Sequence, residues 1–195
     1  MRSSGWWGVA LLMMAGPQLL HCQTDDRGWS VGNSGFETGA LDGWTWWSRT
    51  EHGAATVTRE AGSGTYSIRI DHDGPRDWAF SSERRLSVEP GTGLRVSARV
   101  RVLSGHVLLA VVGVEDGEVR WWDIGSVRQN ATEGWHAIET TLETPVNVDE
   151  VFVRLVGSGD TRAWIDDVEL APYRIQRPPP KPRVNGFATE RIRER

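Results

Sequence analysis

Three groups of residues in this 195-residue chain have types and spacings that suit chemistry. The first is acidic. In Ala163-Trp164-Ile165-Asp166-Asp167-Val168-Glu169-Leu170, Val168 and Leu170 mark a strand face turned to a core. Parity puts Trp164 and Asp166 on that face as well. A buried carboxylate without a partner is strongly unfavourable, so Asp166 needs a cation. The best placed is a metal shared with Glu37, which would join the first and last strands. The second group is aromatic. The chain holds 11 tryptophans. Sugars lay their C–H faces on aromatic rings while polar side chains take the hydroxyls, but a tryptophan serves a core equally well. Neighbours in a strand point to opposite faces, so Trp121-Trp122 are both buried only if both faces are covered. Trp46-Trp47 poses the same problem. The third group speaks against catalysis. His21, His52, His72, His106 and His136 show no metal-ligand spacing, and Asp71-His72-Asp73 before Gly74-Pro75 reads as a turn. No nucleophile elbow, phosphate loop or dinucleotide fingerprint is present. Glu115 with Asp123 is the best of a weak set of carboxylate pairs for glycoside hydrolysis. The chain reads as a non-enzyme.

The elements that must position these residues are strands. Glycine is frequent, at 22 residues, and the runs between Gly and Pro alternate. Residues 94–102 alternate cleanly, apolar at even positions. Residues 106–114 are almost continuously apolar, as in a central strand covered on both faces. Further strands are expected at 54–60, 65–71, 77–82, 85–89, 119–124, 135–143, 150–157 and 162–171. No stretch keeps a helical period. About ten short strands predict an all-β, two-sheet sandwich.

The sandwich is expected over residues 31–173. Residues 1–24 read as a signal peptide, with Arg2 ahead of an apolar run broken by Pro17. Leu19-Leu20-His21-Cys22 resembles a lipobox, which would make Cys22 a lipidation site; plain secretion is the alternative. Either places the protein outside the cytoplasm, secreted or in the cell envelope, and touching a membrane only through Cys22. Residues 174–195 form a Pro/Arg-rich tail. A single cysteine excludes an intrachain disulfide and a Cys-based zinc cluster. The net charge of -4 does not point to nucleic acid.

Several segments together carry a resemblance. Asn33-Ser34-Gly35-Phe36-Glu37 with Gly43-Trp44 opens the domain. Gly64-Thr65-Tyr66-Ser67-Ile68-Arg69-Ile70 and Val88-Glu89-Pro90-Gly91-Thr92 follow, then Gly134-Trp135, and the stretch 164–170 closes it. In this order they resemble the galactose-binding-like β-sandwiches, among them the carbohydrate-binding modules of families four, nine and twenty-two. The resemblance implies a jelly-roll β-sandwich and a structural calcium held by Glu37 and Asp166, with Asp167 or Thr65 and backbone carbonyls completing the shell. The alternative is that both acids accept backbone hydrogen bonds with no ion. It also implies that Trp44 and Trp135 are core, and that Trp78 stands where such modules place a stacking ring. The expected platform is Trp78, Trp121 and Trp122, with Arg120, Asp123 and Asp77 for the hydroxyls. The implied function is non-catalytic recognition of a polysaccharide or glycan. An exposed aromatic face also suits contacts with an envelope protein partner, as in a structural or assembly protein.

Overall fold

In the computed structural model, which describes residues 28–176, the chain forms eleven strands and, among the described residues, no helix. They are β1 (Trp44–Ser48), β2 (Ala54–Thr58), β3 (Ser67–His72), β4 (Asp77–Ser82), β5 (Leu86–Ser87), β6 (Gly93–Ser104), β7 (His106–Glu115), β8 (Glu118–Asn130), β9 (His136–Glu143), β10 (Glu150–Ser158) and β11 (Thr161–Pro172). One sheet runs β1-β4-β10-β7-β8, with β5 added on β10; the other runs β2-β3-β11-β6-β9. Every pairing is antiparallel. The expected jelly-roll β-sandwich is the fold.

The pattern of β6 explains its place. Leu94, Val96, Ala98, Val100 and Val102 are buried between the sheets, while Arg95, Ser97, Arg99 and Arg101 stand on the outer face. In β7, Val107, Leu109 and Val111 face the core, and Ala110 and Val112 on the opposite face are buried too. That double burial is what the unbroken apolar run predicts.

The sequence pattern does not delimit β1, because Trp47 is apolar on a wet face. Trp44 and Trp46 turn inward; Trp44 stacks on Phe80 at 5.0 Å and Trp46 on Trp78 at 5.6 Å. The turn expected at Asp71-His72-Asp73 is instead the end of β3. Asp71 points out to Arg69 and Arg162, and His72 points in, its Nδ1 2.9 Å from the Gly159 carbonyl oxygen.

The largest departure lies in β11. Ala163 and Ile165 pair with Ile70 and Ile68 on one side and Val102 and Val100 on the other, so they face the core. A bulge then breaks the register between Asp166 and Glu169, with Asp167 at φ 48°. Val168 and Leu170 return to the core by that extra step, while Trp164 and Asp166 lie on the outer face. Period-two parity carried across the bulge put them on the wrong side. Trp164 is nonetheless only 4% exposed, because the guanidiniums of Arg101 and Arg69 cover its ring at 4.5 and 5.5 Å. Trp135 is not a core residue either: it lies half-buried against Gly62, in the loop before β3. The signal segment, Cys22 and most of the tail (177–195) fall outside the described residues.

Candidate functional site

The outer face of the six-stranded sheet holds a cleft of about 770 Å3. Alternation along three strands builds it. From β1, Thr45 and Trp47 point outward, with Arg49 just past its end; from β4, Asp77, Ala79 and Ser81; from β10, Phe152 and Arg154. The register aligns Trp47 with Ala79 and Val156, and Thr45 with Ser81 and Arg154. Trp47 stands at the β1 edge, 43% exposed, and Trp122 at the β8 edge, 59% exposed. Four inter-strand steps separate their strands, about 19 Å along the sheet. The floor between them is small or apolar: Ala79, Ser81 and Phe152.

Each terminal ring carries an arginine. Arg49 lies over Trp47 at 5.4 Å and Arg154 over Trp122 at 4.7 Å. Arg49 is also clamped by Asp77, with Nη2 donating to Oδ2 at 2.9 Å and Nε to Oδ1. Those hydrogen bonds hold the Asp77 carboxyl below its ordinary range. At the lower rim Thr45 Oγ1 donates to Glu83 at 2.9 Å, and Arg85 lies 3.6 Å from Glu150. Arg154 rises from the middle of β10, and burial pulls its guanidinium below the usual arginine range.

Of the expected platform, only Trp122 and Asp77 line this cleft. Trp78 is 0% exposed, sealed between the sheets under Gly157, so it is a core residue and not a stacking ring. Trp121 sits opposite Gly113 on the inward side of β8 and packs half-buried against the core. Arg120 is drawn to Glu118 at 3.0 Å and Glu115 at 3.8 Å in the β7–β8 hairpin. Asp123 accepts from Gly125 N–H and Ser126 Oγ inside the β8 irregularity. Neither borders the cleft. Sequence reasoning flagged the Trp46-Trp47 doublet but left Trp47 out of the platform, and it passed over Arg49, Phe152 and Arg154. A signal for Arg154 was present: a lone charge in the apolar run Val151–Val156 marks an outward position on a central strand. For Trp47 it was the doublet Trp46-Trp47.

The acids expected to form a clasp do converge. Asp166 is 0% exposed; its Oδ2 accepts from the Gly62 and Ser63 N–H groups at 2.9 and 3.0 Å, and its Oδ1 from Asp167 N–H at 2.8 Å. Glu37 takes the other end of the same loop, accepting from Thr65 and Tyr66 N–H at 2.9 and 3.1 Å. These bonds, Tyr66 first, hold the Glu37 carboxyl below its usual range, whereas burial pushes Asp166 up. A Cβ on Gly35 would lie 3.6 Å from Asp167 Oδ1 and 4.0 Å from Asp166 Oδ1, with Glu37 Cγ at 3.8 Å. The donors here are all oxygens, which suits a hard cation in kind. Among the described residues no group of three or more His, Cys, Asp or Glu side chains is arranged to hold a metal, so backbone carbonyls would have to supply most of any shell.

A model of the family described as carbohydrate binding domain matches residues 30–161. No curated protein matches the chain. Among solved structures, the enzymatically active domain of tailspike protein 4 from bacteriophage CBA120 is similar at TM-score 0.62 and 14% identity, covering 74% of this chain. The chain spans 21% of that protein's length. TmCBM61 in complex with β-1,4-galactotriose is similar at TM-score 0.54 and 20% identity, covering 75% of this chain and 99% of its own. The CBM22-1 xylan-binding domain of Paenibacillus barcinonensis Xyn10C gives TM-score 0.54 at 14% identity, covering 73% of this chain and 94% of its own. At these identities the likeness is one of fold.

Proposed function

The chain belongs to the carbohydrate binding domain family, and from that premise we propose that it recognises a glycan along the outer face of the six-stranded sheet, without turnover and outside the cytoplasm. One observation carries the reading. Two exposed tryptophans, Trp47 and Trp122, bracket an open cleft whose floor residues are small or apolar and whose walls carry hydrogen-bonding groups. Stacked rings at both ends with polar groups between them match the two faces of a pyranose chain. Affinity electrophoresis through gels of soluble polysaccharides tests it, with β-1,4-galactan and xylan in the panel because the folds of similar shape carry those names. Retention should fall at least about tenfold in Trp47→Ala and in Trp122→Ala, as expected for loss of a stacking anchor. Wild-type protein that no polysaccharide retards would end the reading, and specific co-purification with an envelope protein would replace it. The extracytoplasmic setting rests on residues 1–24 and is tested by the mass of the mature protein. Calcium at the clasp is supported by the all-oxygen acids around Gly35 and by their net negative charge.

A further inference from the structure

Arg154 is the group in the cleft whose chemistry is unfinished. The other two arginines there have carboxylates: Arg49 has Asp77, and Arg85 has Glu150. Among the described residues, Arg154 has neither an ion pair nor a hydrogen bond to a carboxylate; its guanidinium lies over the Trp122 ring at 4.7 Å. It stands on β10, between β4 and β7, so strands flank it on both sides. Its neighbours across the sheet, Ser81 and Ala110, are small and uncharged. Burial already disfavours its charge, and Asp77, the acid that offsets this from a distance, is engaged with Arg49.

A partly desolvated cation with no carboxylate in contact, its one offsetting acid already clamped to another arginine, is unfavourable unless something in the functional state supplies a partner. The ring holds the guanidinium in place, so its planar fork is pre-organised to take two oxygens of one anionic group. We propose that the glycan is acidic: a sugar whose carboxylate or sulfate ester docks on Arg154 while its ring lies against Trp122. The inference rests on the glycan reading above and narrows it to a substrate class. The Trp47 end, where Asp77 neutralises Arg49, takes an uncharged residue of the same chain. The cleft is thus polarised, with a neutral subsite at β1 and an anion-reading subsite toward β8.

The test uses the full chain in affinity electrophoresis and calorimetry against polygalacturonate, its carboxyl-reduced counterpart, a sulfated galactan and poly-glutamate. Wild-type protein should bind one of the two acidic polysaccharides at least about tenfold more tightly than the carboxyl-reduced polymer, because a charge-assisted fork contact is lost on reduction. Which acidic polymer wins separates carboxylate from sulfate. The preference should shrink as salt rises and collapse in Arg154→Met. In Arg154→Lys, which keeps the charge and loses the fork, it should fall only in part. Equal or tighter binding of the carboxyl-reduced polymer, with Trp47→Ala and Trp122→Ala still abolishing it, overturns the acidic assignment and leaves glycan recognition standing. Retention by poly-glutamate equal to that by polyuronate also overturns it, in favour of an acidic peptide. If no polysaccharide binds, both fall together. Circular dichroism melting of each Arg154 variant checks that its loss is local.

Discussion

At the scale of single residues, the tryptophans divide by the face they stand on. Trp78 and Trp122 looked alike in the sequence, and substitution should separate them. Trp78→Ala removes a fully buried ring that stacks on Trp46, and should cost about 3–5 kcal/mol in chemical denaturation. Trp122→Ala removes an exposed ring, and should change stability by no more than about 0.5 kcal/mol while weakening glycan retention. Glu37 gives a second residue-level prediction. Its folded pKa is lowered from an ordinary 4.5 by the Tyr66 and Thr65 N–H groups. Its contribution is therefore complete above 4.5 and is lost as pH falls through the folded value. The melting difference between wild type and Glu37→Gln should be widest near neutral pH and close in acid. A gap that stays constant down to about pH 3 would mean that the carboxylate charge does not matter to the loop.

At the scale of elements, β10 and β11 decide most. β10 passes over Trp78 at Gly157, where a Cβ would come within 2.5 Å of the indole ring and 2.7 Å of the His106 carbonyl oxygen. Neither the ring, packed at 0% exposure, nor the neighbouring strand has room to yield. Gly157→Ala should destabilise by about 1–3 kcal/mol, read from denaturant midpoints, through overpacking and not through any backbone preference. β11 carries the bulge that sends Asp166 to the Gly62–Ser63 turn. If calcium joins that clasp, a chelator should lower the melting temperature by several degrees, and added calcium should restore it, the size following ligand linkage. Unchanged melting in chelator would show that the N–H donors of the loop suffice for both acids.

At the scale of the whole molecule, recognition and stability are linked. A ligand that binds the folded sandwich at about 100 times its dissociation constant adds about 2.7 kcal/mol, or roughly 5–10 °C in a domain of this size. The preferred polysaccharide should raise the melting temperature by that order, and the shift should vanish in Trp122→Ala. A shift that survives both Trp47→Ala and Trp122→Ala would place binding elsewhere on the molecule. The six-stranded sheet buries one face in the core and holds the cleft on the other.

The fold was written in the residue order. Alternation in β6, the apolar run of β7 and the Gly/Pro punctuation are local signals, and a half-buried strand has to alternate wherever it lies. That Glu37 and Asp166 need polar partners also follows from their chemistry, but that backbone N–H groups at the two ends of one loop supply them is decided by the fold. The site was not written there. Whether Trp78 is sealed or open depends on β10 crossing it at Gly157, 79 positions away in the chain. The side taken by Trp164 and Asp166 depends on one extra residue in β11, which no period-two reading can count. The cleft itself comes from β1, β4, β8 and β10, which are neighbours or near neighbours only after the sheet has formed. Composition and periodicity act along the chain, and a surface cleft is assembled across it; that is why the sandwich could be foreseen and Arg154 over Trp122 could not.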